Sequence, residues 1–331
     1  MPSARASGQL AIAEAAAGRG HIDLPIVGQI SVSWGALRND GQSGESRQPE
    51  RTAREKMRGE CRDGLKGRPM LELIDKGSAT ESHPVPLLFV HGGYHAAWCW
   101  DENFLDYFAD KGFRAVAVSL RGHGQSDLSK PLRSCSIADY MHDVRAAADQ
   151  LGSEPVLVGH SMGCFVVQKY LAKHPVPAAV LMAPATAQGL RWSVLRMFRS
   201  HPWIFLRGSV SGQSADLVNT SELAREFLFC AHTPEPIVRS CATRMEHESA
   251  RAGIDQMMVI RLRDTRVKAA PVLVLGAKHD GMRTMAEVSA TAQAYQTEAE
   301  FFPNMGHNMM LEPGWQAVAE RIDGWLKAQG L

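Results

Sequence analysis

One serine in the sequence stands in a setting that suits a nucleophile. It lies in Val158-Gly159-His160-Ser161-Met162-Gly163, a G-x-S-x-G run where a short apolar stretch ends and a helical pattern, Met162 to Ala172, begins. A serine in so sharp a strand-to-helix turn must take a strained backbone conformation. The flanking glycines let the chain pass close by on either side while the hydroxyl projects outward. Glycine and serine are abundant here, so the pattern gains its weight from the strand before it and the helix after it. At neutral pH a serine hydroxyl is a weak nucleophile until an imidazole takes its proton and a carboxylate holds that imidazole in the right tautomer. Two further residues are therefore required, and in a parallel sheet they belong just beyond the carboxyl ends of strands. Asp280 follows the apolar run Val272 to Leu275, and His307 follows Phe301-Phe302. The order Ser161, Asp280, His307 thus assigns nucleophile, acid and base to one sheet edge. Acyl transfer also needs donors for a developing oxyanion, expected from the backbone N–H groups of Met162 and of Gly93 in His91-Gly92-Gly93-Tyr94.

The elements that must position these groups are legible in the pattern of apolar runs. Leu87 to Val90, Ala115 to Val118, Pro155 to Val158, Ala179 to Met182, Val272 to Leu275 and Glu300 to Phe302 are short and without polar alternation. Such runs suit strands covered on both faces, as in a parallel sheet. Between them the period becomes helical: Tyr140, Val144, Ala147 and Leu151 share one face, as do Val318, Ile322 and Trp325. The expected fold class is therefore α/β, a mostly parallel, doubly wound sheet with helices on both faces. The alternation breaks between Ala183 and Ala270, a stretch rich in aromatic residues and too long for a plain loop. A helical lid insertion at about 185–268, over one end of the sheet, is expected there.

Residues 1–66 differ in texture, with Asn39-Asp40-Gly41-Gln42-Ser43-Gly44 and a charged stretch from Glu50 to Glu60. They read as a poorly ordered extension to a domain at 67–331, the rival being an edge strand from Ile26 to Val32. Over all 331 residues, 36 Lys+Arg against 35 Asp+Glu gives a formal charge of +1, and 45% of residues are hydrophobic. Such a balance offers no basic surplus for nucleic acid or an anionic membrane. No apolar run is long enough for a membrane span or a secretory signal, so a cytoplasmic location is expected, without integral membrane contact. The six cysteines are dispersed, and Glu246-His247-Glu248 lacks the paired histidines of a helical metal site. Neither a metal nor a cofactor is expected, and the oligomeric state is left open.

Taken together, Ser161, Asp280, His307 and the glycine-bearing loop resemble the α/β-hydrolase superfamily over nearly all of Leu71 to Leu326. Arg121-Gly122-His123-Gly124-Gln125-Ser126 is similar to a loop that often follows the next strand in that family, which makes His123 structural. More narrowly, His91-Gly92-Gly93-Tyr94-His95-Ala96-Ala97-Trp98-Cys99-Trp100 is similar to the H-G-x-x-H-x-x-W-x-W run of plant methyl esterases, hydroxynitrile lyases and bacterial esterases. The resemblance implies a serine hydrolase acting on a small-molecule carboxylic ester, thioester or lipid ester. A serine at position 161 argues against the aspartate chemistry of epoxide hydrolases and haloalkane dehalogenases. Gly92 stands where related lyases carry threonine. The alternatives are a binding protein with slow or no turnover, and cofactor-free lyase, acyl transfer or perhydrolysis. Tyr94, Trp98, Trp192, Phe198 and Met309 are expected to line an apolar pocket. Nothing in the sequence suggests a carboxylate clamp.

Overall fold

Short Val- and Leu-rich runs need both faces covered, and the structure, a computed structural model that describes residues 70–185, 190–203, 215, 218–257 and 270–331, covers them. The expected extension at 1–66 and the rival strand at 26–32 lie outside the described residues. Seven strands form one sheet among those residues: β1 (Leu73–Lys76), β2 (Leu87–Val90), β3 (Ala115–Val118), β4 (Val156–His160), β5 (Ala179–Met182), β6 (Val272–Ala277) and β7 (Ala299–Phe302). Their order is β1-β3-β2-β4-β5-β6-β7, with β1 antiparallel to β3 and every other pairing parallel. Strand β1 is partly exposed and contains Asp75 and Lys76, so it lacks the apolar run of a covered strand and is not among the strands expected from the sequence.

Alternation within the strands feeds two cores. Leu87, Phe89, Ala115, Val156 and Val158 point to one face and pack against α1 (Trp98–Asp101), α2 (Phe104–Asp110) and α10 (Trp315–Ala328). Leu88, Val90, Val116, Val118 and Leu157 point to the other, against α3 (Ile137–Leu151), α4 (Met162–Leu171) and α9 (Met285–Ala294). Helix α3 begins at a capping box in which Ser136 Oγ accepts from Asp139 N–H, and it stops at Gly152 with φ 80°.

Between β5 and β6 the described residues form α5 (Arg191–Ser200), α6 (Ser221–Leu228), α7 (Glu235–Thr243) and α8 (Ala250–Met257). None of the described helices is long and apolar enough to cross a membrane. Because β2 leads outward to β3 while β4 leads to β5 on its other side, successive connections diverge between β2 and β4. That divergence opens a crevice at the strands' carboxyl ends, the usual ligand position in such sheets.

Candidate active site

Ser161 lies in that crevice, one residue beyond β4, at φ 49° and ψ −113°. A non-glycine residue there is strained, and the neighbours enforce it. Ser161 N–H donates to Met182 O at 3.0 Å on the adjacent strand, and Cys164 N–H returns to Ser161 O at 3.1 Å. Gly163 makes the turn possible, because a Cβ there would strike Val90 O and come 2.5 Å from His91 O. Val90 ends the central strand β2 and His91 follows it directly, so neither carbonyl yields easily. Gly163→Ala is therefore expected to destabilise the fold by about 3 kcal/mol, at the upper end for overpacking. A urea midpoint unchanged from wild type would refute that expectation.

The three groups chosen from sequence meet in space. His307 Nδ1 donates to Asp280 Oδ2 at 2.8 Å, and His307 Nε2 lies 2.8 Å from Ser161 Oγ, placed to accept its proton. Asp280 follows β6 and His307 follows β7, so parallel strands bring residues far apart in the chain to one edge. Asp280 Oδ1 accepts from the N–H groups of Met282 and Arg283 at 2.7 and 2.8 Å, which fixes the carboxylate's orientation. Its side chain and that of His307 are nearly fully buried, so the pair is shielded from water. Met162 opens helix α4, where backbone N–H groups lack intrahelical acceptors and the helix dipole favours negative charge. Gly93 lies across the same cavity.

Several buried polar residues that the sequence reading did not assign hold this arrangement in place. His91 Nε2 accepts from Leu120 N–H at 3.0 Å while its Nδ1–H donates to Gly92 O at 2.8 Å, pinning the glycine loop. His95 donates from Nδ1 to Gly93 O at 2.8 Å and accepts from Asn308 Nδ2 at 3.1 Å, joining that loop to the neighbour of His307. His160 donates from Nε2 to His307 O at 3.0 Å. Burial lowers the pKa of His91 and His160 well below the usual value and that of His95 to about 4, so all three remain neutral. Buried Glu312 accepts from the N–H groups of Gly306 and Cys230 at 2.8 and 2.6 Å and from the Thr233 hydroxyl, tying the His307 loop to the end of α6. The single sequence-level signal for any of these was the histidine-rich loop, which fixed no partners.

His123, expected to be structural, is buried beside Glu248 with Nε2 and Oε2 3.3 Å apart. Glu248 Oε1 also accepts from Tyr140 OH and Ser249 N–H, each at 2.6 Å. Burial opposes both charges, yet attraction to Glu248 leaves the His123 pKa raised, and His123 with these hydrogen bonds leaves that of Glu248 lowered. The sign follows from linkage. The His123 contribution is complete below about pH 6.5 and disappears as pH rises through its raised folded value; the Glu248 contribution is complete above about pH 4.3 and is lost on acidification. Glu248→Gln should thus lower Tm most near pH 6, with a smaller deficit at pH 9. Equal deficits at both values would contradict a charged pair.

A cavity of about 240 Å³ opens onto Ser161 and His307, lined by Tyr94 and by residues of α5, α6 and α8, among them Met197, Leu228, Ile254 and Met257. Tyr94 therefore stands where expected, but Trp98, Phe198 and Met309 do not line it. Trp98 faces a second cavity and carries the Arg244 guanidinium over its ring at 3.9 Å. Phe198 lies on the outer face of α5, 48% exposed. Met309 is fully buried in the core beside α10. The Trp192 side chain lies outside what the structure describes. Arg196, on the same helix as Phe198, is exposed and paired with Glu287 at 2.8 Å.

The model of the alpha/beta hydrolase family matches residues 87–321. A non-heme chloroperoxidase of Streptomyces lividans is 30% identical over 129 residues, covering 35% of this chain and 46% of that protein. A pheophorbidase of Raphanus sativus is 29% identical over 163 residues, covering 46% of this chain and 58% of that protein. The chain thus spans about half the length of these relatives. Among solved structures, an esterase from Exiguobacterium antarcticum shares the fold with a TM-score of 0.62 at 20% identity, over 78% of this chain and 96% of that one.

Proposed function

The chain belongs to the alpha/beta hydrolase family, and from that premise we propose that it is a serine hydrolase cleaving a carboxylic ester through an acyl-enzyme. The observation that carries this reading is the continuous hydrogen-bonded line from Asp280 through His307 to Ser161, with both links at 2.8 Å. Ser161 Oγ attacks the ester carbonyl and gives its proton to His307 Nε2, while Asp280 holds Nδ1–H and stabilises the imidazolium. The carbonyl oxygen becomes an oxyanion resting on the N–H groups of Met162 and Gly93. Collapse breaks the ester C–O bond, and the alkoxide leaves as alcohol with the proton from His307. Water then gives a proton to His307 and attacks the acyl carbon, and the acid departs as Ser161 regains its proton.

The apolar walls contributed by α5, α6 and α8 support an ester with an apolar acyl or alcohol portion. No step requires a metal or organic cofactor. The test is exposure of purified protein to a fluorescent fluorophosphonate, followed by p-nitrophenyl esters from acetate to dodecanoate. Labelling with ester turnover is expected. Well-folded protein that neither labels nor turns over any ester would move the binding-protein alternative to the front.

A further inference from the structure

The cavity wall contains one cation whose surroundings do not account for it. Arg283 lines the same cavity as Ser161 and His307, yet it is only 4% exposed. A guanidinium has five N–H donors. Among the described residues, the side chain makes one hydrogen bond, from Nη1 to Met282 O at 3.2 Å, and Nε is buried with no partner. The nearby carboxylates are already engaged. Asp280 has Oδ2 on His307 and Oδ1 on the N–H groups of Met282 and Arg283. Glu287 is bound to Arg196, Ser193 and the Thr284 cap. Burial lowers the Arg283 pKa, opposed by Asp280 and Glu287, but arginine remains charged.

A buried, under-paired guanidinium is costly unless something anionic meets it, and a carboxylate matches its planar fork. Given Ser161 as the acyl acceptor, we propose that Arg283 forms an anion subsite in the catalytic cavity and selects esters whose acyl chain ends in a carboxylate, the half-esters of dicarboxylic acids. Other features of the cavity suit such a molecule. Val194, Met197 and Met257 offer an apolar wall for the methylene chain. The cavity's buried carboxylate, Glu248, sits beside the glycine loop, since a Cβ on Gly93 would lie 3.5 Å from its Oε2. Already held by His123, Tyr140 and Ser249, it offers a substrate carboxylate no donor, whereas Arg283 does.

Two substrates of equal chain length and different charge isolate the effect. Ethyl butyrate, pentanoate and hexanoate are compared with monoethyl succinate, glutarate and adipate by kcat/KM. For at least one length the half-ester is expected to exceed its neutral partner tenfold or more. Arg283→Met should lower that ratio at least tenfold, with partial recovery in Arg283→Lys. Neutral esters preferred at every length would overturn the proposal. So would a ratio maintained in Arg283→Met, even if both rates fell, because Arg283 would then merely support the Asp280 loop. If Arg283→Met does not fold, the wild-type ratio and its change in Arg283→Lys decide.

Absence of both fluorophosphonate labelling and ester turnover would defeat the serine-hydrolase reading separately. The subsite is then judged by calorimetric titration with succinate, glutarate and adipate. Binding by wild type that is lost in Arg283→Met upholds it. No binding, or equal binding by both proteins, overturns it.

Discussion

Ser161→Ala is expected to lower kcat on any ester that the wild-type protein cleaves by about 10⁶-fold and to abolish labelling by a fluorophosphonate. The size follows from what the hydroxyl does. Without Oγ no acyl-enzyme can form, and the residual rate rests on the oxyanion donors and on binding, with water as the nucleophile. The fold should be little altered, because alanine tolerates the φ of 49° no worse than serine and His307 keeps its bond to Asp280. The loss of one hydrogen bond costs about 1 kcal/mol. Intact-mass analysis after labelling and turnover of the preferred ester measure both effects. A variant that retained a tenth of wild-type activity would remove Ser161 from the mechanism.

Asp280→Asn should cost about 10⁴-fold in kcat with a nearly unchanged Tm. The amide can keep one oxygen toward Met282 and Arg283, whose N–H groups bind Oδ1 in the native protein. Its NH₂ group then faces His307 Nδ1, which must accept rather than donate. The imidazole is driven to the tautomer that carries hydrogen on Nε2, where it cannot take the proton of Ser161. The negative charge that stabilises an imidazolium is also gone. A decrease of less than tenfold would mean that the hydrogen-bonded line from Asp280 is not the route by which His307 is oriented. Measuring kcat and KM separately matters here, because the expected loss lies in kcat.

The strands, the strand-to-helix turn and the placement of Ser161, Asp280 and His307 beyond the ends of strands were legible because each depends on residues near one another in sequence. Leu87 to Val90 and Val272 to Leu275 announce covered strands by their own composition, and the position of Asp280 or His307 just after a strand follows from counting. Strand β1 was not legible, since an edge strand carrying Asp75 and Lys76 has no continuous apolar run. The pocket walls were the least legible. Aromatic residues near the glycine loop and in the segment between β5 and β6 looked like its walls, but Trp98 turned to Arg244 and Phe198 to the outside of its helix. Composition marks a residue as apolar without saying which of several buried surfaces it joins.

The sequence by itself determined the alternation of strands and helices, the strained serine turn and the three side chains of Ser161, Asp280 and His307 destined for one sheet edge. Tertiary structure alone decided what surrounds them. His95 meets Asn308 across 213 positions of chain, Cys230 meets Glu312 across 82, and Arg283 comes to lie in the cavity of Ser161 with one side-chain hydrogen bond among the described residues. The physical reason is that local propensity and hydrophobic period act over a few residues, whereas a buried polar group is satisfied, or left wanting, by whatever the packed sheet brings beside it.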